Sequence, residues 1–325
     1  MFVPSWTRLP VPAGSNALTR PDRWFAGALA VSVVLLLALL GEARLSVDVF
    51  TPAALPIWLW LSLTFGTALV CHDGRGPVRR TLRDAGYDYG LLTVLVLMGA
   101  VASYPVAALS HGYVDATLDR MDTVLHFHWL AWYETVAAHP SLQLLGRAAY
   151  RSIYLSPVLL FGHFAVTDRR DRAHKLMATF WLAAVIALVL FPVMPAAGPF
   201  ERDWQGHIPY MPDSALWQPE MIIALREHAV HRIDLGALRG LVSAPSFHTA
   251  AAVLYIRAAW PIAKLRWPLL LLNAAMLLAT PVEGTHYLTD ILLGALVAAV
   301  AITAVQALAG ARASSGATFA LRWRG

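Results

Sequence analysis

Long apolar stretches separated by short loops constrain this chain more than any other feature of its sequence. A helix that crosses a bilayer needs about 20 mostly apolar residues. Only 14% of the residues are charged, whereas soluble domains average about 25%. Eight stretches are long enough to span a membrane, at residues 23–41, 53–71, 89–109, 142–166, 174–195, 244–262, 266–282 and 286–308. The sequence therefore predicts an all-α polytopic membrane protein with about eight transmembrane helices.

Basic residues in the loops predict how the chain is oriented. With the N-terminus in the cytoplasm, every basic cluster falls on the cytoplasmic side, as the positive-inside rule requires. The net charge of +5 follows from this topology, so nucleic acid is not an expected partner. We expect an integral protein of the inner (cytoplasmic) membrane. The clusters comprise Arg75, Arg79, Arg80, Arg83, Arg169, Arg170, Arg172, Lys175, Lys264, Arg266, Arg312, Arg322 and Arg324.

An amphipathic stretch separates the third predicted span from the fourth. Apolar residues recur at helical spacing over residues 115–138, and Asp115, Asp119, Arg120 and Asp122 fall on other faces. A moderately charged amphipathic helix that carries tryptophans is typical of the membrane interface. The pattern therefore predicts one helix over 115–138 that lies on the membrane rather than across it.

Two short polar segments, each at the edge of an apolar run, carry the candidate chemistry. They are residues 244–249 (APSFHT) and 283–290 (EGTHYLTD). If a helix begins near His286, Asp290 lies on the same face, four residues later, and can accept a hydrogen bond from one imidazole nitrogen. An imidazole oriented by a carboxylate is a good nucleophile or base. The alternative is that Asp290 is an acidic residue at a helix start, stabilised by the helix dipole.

The first of these segments resembles the start of a helix. Ser246 is able to cap that helix or to donate a hydrogen bond to a phosphate at its N-terminus, and His248 falls in the first turn. With the orientation given above, both histidines lie at the outer face of the membrane. The candidate site therefore faces the periplasm or the exterior.

A phosphate group at this site needs cationic partners. Arg147 and Arg151 lie four residues apart within the fourth predicted span, where buried arginines are costly and indicate function. Arg239 precedes the first segment. The alternatives are side chains that extend to the lipid headgroups and, for Arg239, an exposed loop charge. Glu283 is expected to have a structural or alcohol-positioning role, since a carboxylate repels phosphate.

Prolines and a glycine end the fifth predicted span, at residues 192–199 (PVMPAAGP). They predict irregular backbone at the outer face. This segment either shapes the roof of the site or only stops the helix.

Taken together, the two polar segments resemble the second and third signature motifs of the type 2 phosphatidic acid phosphatase superfamily. Phe247, a bulky residue between Ser246 and His248, makes the second motif similar to that of the branch containing inositol phosphorylceramide synthases, which implies sphingolipid metabolism. The resemblance implies a six-helix-like phosphatase core. It also implies that His286 forms a phosphohistidine, Asp290 orients it, His248 is the general acid and Ser246 holds phosphate oxygens.

The chain departs from that family's pattern at two places. The first signature motif, a lysine and an Arg-Pro pair separated by six residues, has no match. The arginine expected six residues before His286 is Thr280. Arg147, Arg151 and Arg239 are therefore the candidates to replace the missing cations.

The resulting prediction is a membrane lipid phosphatase or phosphotransferase that needs no cofactor or metal. Its expected partners are the bilayer, a lipid phosphate or phospholipid substrate and, for transfer, an alcohol headgroup acceptor. The regions expected are an irregular cytoplasmic tail (1–22), N-terminal transmembrane helices (23–110), an interfacial amphipathic segment (111–141), a catalytic transmembrane core (142–308) and a basic cytoplasmic tail (309–325).

Two alternatives come from other functional classes. A metal-dependent membrane hydrolase would use His248, His286, Asp290 and Glu283 as ligands. A transporter of an anionic substrate would line its path with Arg147, Arg151 and Asp290.

Overall fold

A computed structural model of the protein describes residues 23–204, 206–214 and 216–322. The tail predicted at 1–22 lies outside the described residues, so that prediction stays open.

The described chain is mainly helical, with two short strands. The elements are α1 (Arg23–Glu42), β1 (Ser46–Asp48), α2 (Leu55–Val70), α3 (Pro77–Ala108), α4 (Asp115–Val124), α5 (Trp129–Ala137), α6 (Pro140–Arg151), α7 (Leu155–Val166), α8 (Arg170–Leu190), α9 (Pro199–Asp203), α10 (Trp217–Arg226), β2 (Arg232–Asp234), α11 (Phe247–Ala259), α12 (Arg266–Glu283) and α13 (Leu288–Arg322).

The described part of the chain has five helices long and apolar enough to cross a membrane. They correspond to the first, second, third, fifth and eighth predicted spans, and they make the protein an integral membrane protein. The count of eight stays a prediction. The fourth predicted span is divided into α6 and α7 by a 3-10 turn at Ser152–Tyr154, and α11 has only 13 residues. The five helices cover Trp24–Glu42, Pro52–Val70, Pro77–Ala108, Arg170–Val193 and Leu288–Ala309.

The third helix begins earlier than the apolar pattern predicts, at Pro77 rather than residue 89. Its first turns are charged, yet the Asp84 carboxylate is buried because it accepts hydrogen bonds from Nε of Arg83 at 2.9 Å and from Nε of Arg170 at 2.6 Å. With its charge paired in this way, Asp84 can be buried within the helix. The helix therefore includes residues that hydropathy alone leaves outside the predicted span.

The prediction of one continuous helix over 115–138 is wrong, whereas its place at the membrane interface stays a prediction. The stretch forms α4 and α5, and His126 between them has a φ of 57°. The pattern of burial also differs from a simple amphipathic helix, because Asp115 and Asp122 are buried whereas Met121 on the apolar stripe is 46% exposed. Hydrogen bonds to the two carboxylates, described below, account for their burial.

Basic clusters that are far apart in the sequence meet at one end of the bundle. Arg83 and Arg170 share Asp84 there. Lys264 lies with Arg169 and Arg172 close enough to His163 to act on its charge. These three loops are the ones predicted to share the cytoplasmic side.

The opposite end of the bundle is covered by loops and short elements. Strands β1 and β2 pair there in parallel, with Val47 opposite Ile233. Thr51 donates a hydrogen bond of 2.6 Å to the Asp234 carboxylate, which ties the loop after α1 to the loop that precedes α11.

Helix α11 is the centre of the membrane core. It packs against α8, α12 and α13, and its residues Ala250, Ala251 and Ala252 are fully or almost fully buried. Small side chains allow membrane helices to approach closely. The close approach of α11 and α13 positions the two predicted motifs, because each motif lies at the start of one of these helices.

Candidate active site

His286 and Asp290 form the pair that the sequence predicts. His286 ends the turn between α12 and α13, and Asp290 lies in the first turn of α13. Nδ1 of His286 is 3.4 Å from Oδ2 of Asp290, and that oxygen also accepts a hydrogen bond from the backbone N–H of Tyr287 at 3.2 Å. The other oxygen, Oδ1, is buried and has no partner within the described residues. The carboxylate therefore depends on His286 for compensation of its charge.

Ser246 brings the first motif to this pair. It is the N-cap of α11, and its Oγ lies 3.5 Å from both the backbone nitrogen of Thr249 and Nε2 of His286. Its own N–H donates to the backbone oxygen of Asp290 at 3.1 Å. With Nδ1 directed at Asp290, Nε2 is the nitrogen of His286 that faces the first motif.

Gly294 allows the two motifs to meet. A Cβ at this position would lie 2.2 Å from the backbone oxygen of Ser246 and 2.9 Å from Cβ of Thr249. Both are rigid parts of α11 and its cap, so a larger residue must separate α13 from α11. Gly294 lies four residues after Asp290, on the helix face predicted for His286 and Asp290, and that face contacts α11.

Replacing Gly294 with alanine is expected to destabilise the protein by about 1–3 kcal/mol through overpacking, and to lower its activity because Ser246 moves away from His286. Thermal unfolding in detergent measures the first effect. Gly99→Ala is the matched control, since a Cβ at that helical glycine meets no atom within 4 Å. A Gly294→Ala variant as stable and active as Gly99→Ala would contradict this role of the contact.

His248 joins the same cluster through Tyr150 of α6. The two rings stack with their centroids 4.7 Å apart. A Cβ added at Gly284 would lie 2.8 Å from Cδ2 of His286 and 3.1 Å from Cε2 of Tyr150. His248 and His286 are close enough to interact electrostatically. Both imidazoles therefore lie around one small space at the end of the bundle opposite the basic clusters.

The proline-rich segment after α8 packs directly against the second motif. Gly198 has a φ of +95°, and a Cβ there would lie 2.6 Å from the backbone oxygen of Thr285. The side chain of Ser243 bonds both the N–H and the carbonyl of Ala196, at 3.3 and 2.7 Å. The segment thus contacts residues next to both motifs, as a roof over the site would.

Glu283 is fully buried beside this cluster and is bonded to residues other than the histidines. Its carboxylate accepts hydrogen bonds from the Tyr210 hydroxyl at 2.5 Å and the Asp213 backbone N–H at 3.0 Å. Burial, together with the hydrogen bond to Glu283, raises the pKa of Tyr210 to about 12. Tyr210 therefore stays protonated as the donor, and Glu283 is a structural anchor for the loop before α10.

The three candidate arginines have their contacts with residues other than the histidines of the site. Arg147 is half-buried and lies 3.3 Å from the Tyr210 hydroxyl. Arg151 is bidentate to Asp213, with its side chain 63% exposed, so the expectation that it is buried is wrong. Arg239 is exposed, 5.3 Å from the Trp217 ring. In the part of the chain that the structure describes, no guanidinium bonds to Ser246, His248 or His286.

An apolar cavity of about 510 Å³ leads from the membrane core to the site. It lies between α3, α7, α8 and α11, and its lining includes Leu92, Gly99, Val158, Leu188, Phe247 and His248. Because Phe247 and His248 are part of its wall, a molecule whose apolar portion fills the cavity can place its polar end at the first motif.

The sequence did not single out three residues that shape the site. Tyr150 stacks on His248, Asp115 accepts a hydrogen bond from the Tyr287 hydroxyl, and Asp122 accepts one from the backbone N–H of Leu288. The spacing of Asp115 and Asp122, seven residues apart on one helix, is a usable signal, because it places two carboxylates on the same helix face. Tyr150 shows no comparable signal.

The geometry limits the two alternative functions. Both oxygens of Glu283 are already bonded to Tyr210 and Asp213, so Glu283 is not available as a metal ligand beside the histidines. Across the described residues, no group of three or more His, Cys, Asp or Glu side chains is placed to hold a metal ion. The path of a transporter would need Arg147, Arg151 and Asp290 together, yet both arginines lie on α6 and face Tyr210 and Asp213.

The positions of the histidine nitrogen atoms determine which chemistry the site can perform. Nε2 of His286 is directed at the first motif, and the Asp290 carboxylate lies next to Nδ1. The imidazole of His248 is near enough to donate a proton. This arrangement suits nucleophilic attack followed by protonation of a leaving group.

Comparison with known proteins gives one match. The family model described as PAP2 superfamily matches residues 116–304, more than half of the 325 residues. No curated protein and no solved structure matches the chain.

Proposed function

The chain belongs to the PAP2 superfamily, and on that premise we propose that it cleaves a lipid phosphate ester through a phosphohistidine formed on His286. The family carries phosphatase-type activity on phosphate esters in a membrane environment. The observation that carries the proposal is the placement of His286 between Ser246 and Asp290, with Nε2 toward one and Nδ1 toward the other.

In the first step, Nε2 of His286 attacks phosphorus, so an N–P bond forms while the P–O bond to the lipid alcohol breaks. His248 gives its proton to the departing oxygen. Asp290 stabilises the positive charge that develops on His286, as a carboxylate does for an imidazolium. Ser246 and the N-terminus of α11 hold the phosphate oxygens, because a helix N-terminus favours anions.

In the second step, His248 acts as a base on the entering nucleophile, which attacks phosphorus and releases His286. Water as nucleophile gives hydrolysis, and an alcohol headgroup gives transfer. Phe247 supports transfer, since a bulky residue at this position resembles the branch that contains inositol phosphorylceramide synthases.

The apolar cavity supports a lipid as substrate. A hydrocarbon chain from the bilayer can occupy the cavity without exposure to water, which would cost about 0.8 kcal/mol per CH₂ group. The phosphate of such a lipid then meets Phe247 and His248 at the end of the cavity. Free phosphate esters have no hydrocarbon chain to occupy the cavity and are expected to be poorer substrates.

The positive-inside rule supports an outward-facing site in the inner (cytoplasmic) membrane. The basic ends of α3 and α8 meet at one end of the bundle, and Ser246 and His286 lie at the other. The predicted division into N-terminal helices, interfacial segment and catalytic core is retained in the proposal.

Arg147 is the first candidate for the missing cation. It is half-buried, three residues from Tyr150, and it bonds only a neutral hydroxyl. Arg151 must first leave Asp213, although an exposed ion pair of this kind contributes only about 0–1 kcal/mol. Arg239 approaches from the loop before the first motif and is the third candidate.

The test is turnover of labelled lipid phosphates by the purified protein, with Gly99→Phe as the informative variant. Gly99 lines the cavity, and a Cβ added there meets no atom within 4 Å. We expect KM to rise roughly 10-fold for a long-chain substrate, because a bulky side chain in the wall leaves less space for the acyl chain, with little change for a short-chain ester. Gly99→Ala is the control.

An equal effect of Gly99→Phe on both substrates would contradict a chain-binding role for the cavity. A wild-type protein that turns over no phosphate ester would overturn the proposed function. Treatment with a chelator separates the metal-dependent alternative, because the proposed chemistry is expected to survive it and the alternative is not.

A further inference from the structure

Asp122 of α4 caps a helix to which it does not belong. Its Oδ2 accepts the backbone N–H of Leu288 at 2.8 Å, and its Oδ1 accepts the N–H and the hydroxyl of Thr289 at 2.8 and 2.6 Å. These are donors at the N-terminus of α13, which a helix leaves without internal partners. The side chain is only 2% exposed. The cap for the helix that carries Asp290 is therefore supplied from more than 160 residues earlier in the chain.

Asp115 makes a second connection from the same helix. It accepts the N–H groups of Ala197 and Gly198 at 3.0 and 2.8 Å, and the hydroxyl of Tyr287 at 3.1 Å. One carboxylate thus joins the roof segment to the residue that follows His286. Asp115 is also buried.

The two carboxylates hold the turn that carries His286 from both directions. Asp122 fixes the backbone of residues 288 and 289, and Asp115 fixes the side chain of Tyr287. The N–H of Tyr287 is directed at Asp290. Little freedom remains in the backbone that sets the direction of the His286 ring.

The negative charge of Asp122 also affects where a phosphate can bind. A free helix N-terminus attracts anions, and both α11 and α13 begin at the site. Asp122 already occupies the N-terminus of α13 and repels a phosphate there. The N-terminus of α11, capped only by the neutral Ser246, is left as the place for the anion. The attacking nitrogen therefore belongs to the turn before α13, whereas the phosphate binds at the N-terminus of α11.

We propose that α4 is the positioning element of this active site, in which Asp122 and Asp115 fix the turn at 286–290 and hold Nε2 of His286 toward the phosphate position beside Ser246. The inference rests on the proposed function for its kinetic consequences. Its structural part stands without it, because hydrogen bonds to α13 do not depend on turnover. Neither aspartate touches the reacting atoms.

The kinetic test compares Asp122→Ala, Asp122→Asn and Asp119→Ala. A misplacement of about 1 Å at a nucleophile costs roughly 10²-fold in rate, so Asp122→Ala is expected to lower kcat roughly 100-fold while KM changes little. Asparagine offers only one acceptor oxygen, so Asp122→Asn is expected to lie between wild type and Asp122→Ala. Asp119 is the matched control, since it is on the same helix, is 39% exposed and pairs with Arg202.

A merely structural role would reduce the amount of folded protein and leave kcat per folded molecule unchanged. An unchanged kcat in Asp122→Ala, a rise in KM with kcat constant, or an equal loss in Asp119→Ala would each overturn the inference. If Asp122→Ala does not fold, the graded loss expected in Asp122→Asn decides in its place.

Hydrogen–deuterium exchange supplies a readout that is independent of activity. In full-length protein in detergent, the amides of residues 286–290 are expected to exchange faster in Asp122→Asn than in wild type or Asp119→Ala. Unchanged exchange would overturn the inference even if the enzyme proves active. Faster exchange in a protein without phosphatase activity would support the positioning role of α4 and reject the proposed function. Failure of the inference and failure of the proposed function are therefore distinguishable.

Discussion

His286→Ala is expected to abolish turnover, with kcat reduced by about 10⁴-fold or more, the scale seen when a covalent nucleophile is removed. Nε2 of His286 is the atom that faces Ser246, and no other group in the cluster has a carboxylate at its opposite nitrogen. Turnover of a lipid phosphate by protein in detergent micelles measures the effect.

His163→Ala is the control for this substitution. His163 lies at the opposite end of the bundle, beside the basic residues Arg169 and Arg172. It is expected to leave kcat within about 2-fold of wild type, as surface changes away from a site do. Residual activity of more than about one per cent in His286→Ala would remove the nucleophile from the account.

His248→Ala is expected to separate substrates by their leaving groups. A general acid contributes about 10²–10⁴-fold when the departing oxygen is basic, as in a lipid alcohol. A nitrophenyl phosphate ester leaves without protonation, so its cleavage is expected to fall by less than about 10-fold. Measuring both substrates with wild type and His248→Ala gives the ratio directly.

Tyr150→Phe provides the matched control for His248→Ala, because it keeps the ring that stacks on His248 at 4.7 Å. It is expected to leave the ratio of the two substrates unchanged. An equal loss on both substrates in His248→Ala would take the acid role from His248 and assign it a role in binding or packing.

The second and third motifs could be predicted from sequence because their chemistry is local. Asp290 lies one turn after His286, so the pair follows from helical periodicity alone. Gly294 extends the same face, and the structure places that face against Ser246. The end of the bundle at which the motifs lie follows from charges in the loops, which is a property of the whole chain.

The positions of the arginines could not be predicted in the same way. Hydropathy treats 142–166 as one span, yet the chain turns at Ser152–Tyr154. Arg151 then leaves the membrane core and pairs with Asp213, 62 residues later. A partner so distant in sequence has no local signature.

The burial of two carboxylates in the stretch 115–138 could not be predicted for the same reason, which is that their partners are distant in the sequence. Asp115 and Asp122 read as a polar face, because carboxylates are almost never buried without partners. Most of their partners are backbone N–H groups, of residues 197, 198, 288 and 289, beside the hydroxyls of Tyr287 and Thr289. Every residue except proline has a backbone N–H, so no residue pattern indicates which N–H groups bind these carboxylates.

The most direct measurement of the central claim is the trapping of a phosphorylated enzyme. Wild-type protein is mixed with a ³²P-labelled lipid phosphate, quenched within milliseconds in alkaline detergent, digested and mapped by mass spectrometry. We expect one labelled peptide that carries phosphate on His286, and no label in His286→Ala. Phosphate on another residue, or full turnover without any labelled intermediate, would contradict it.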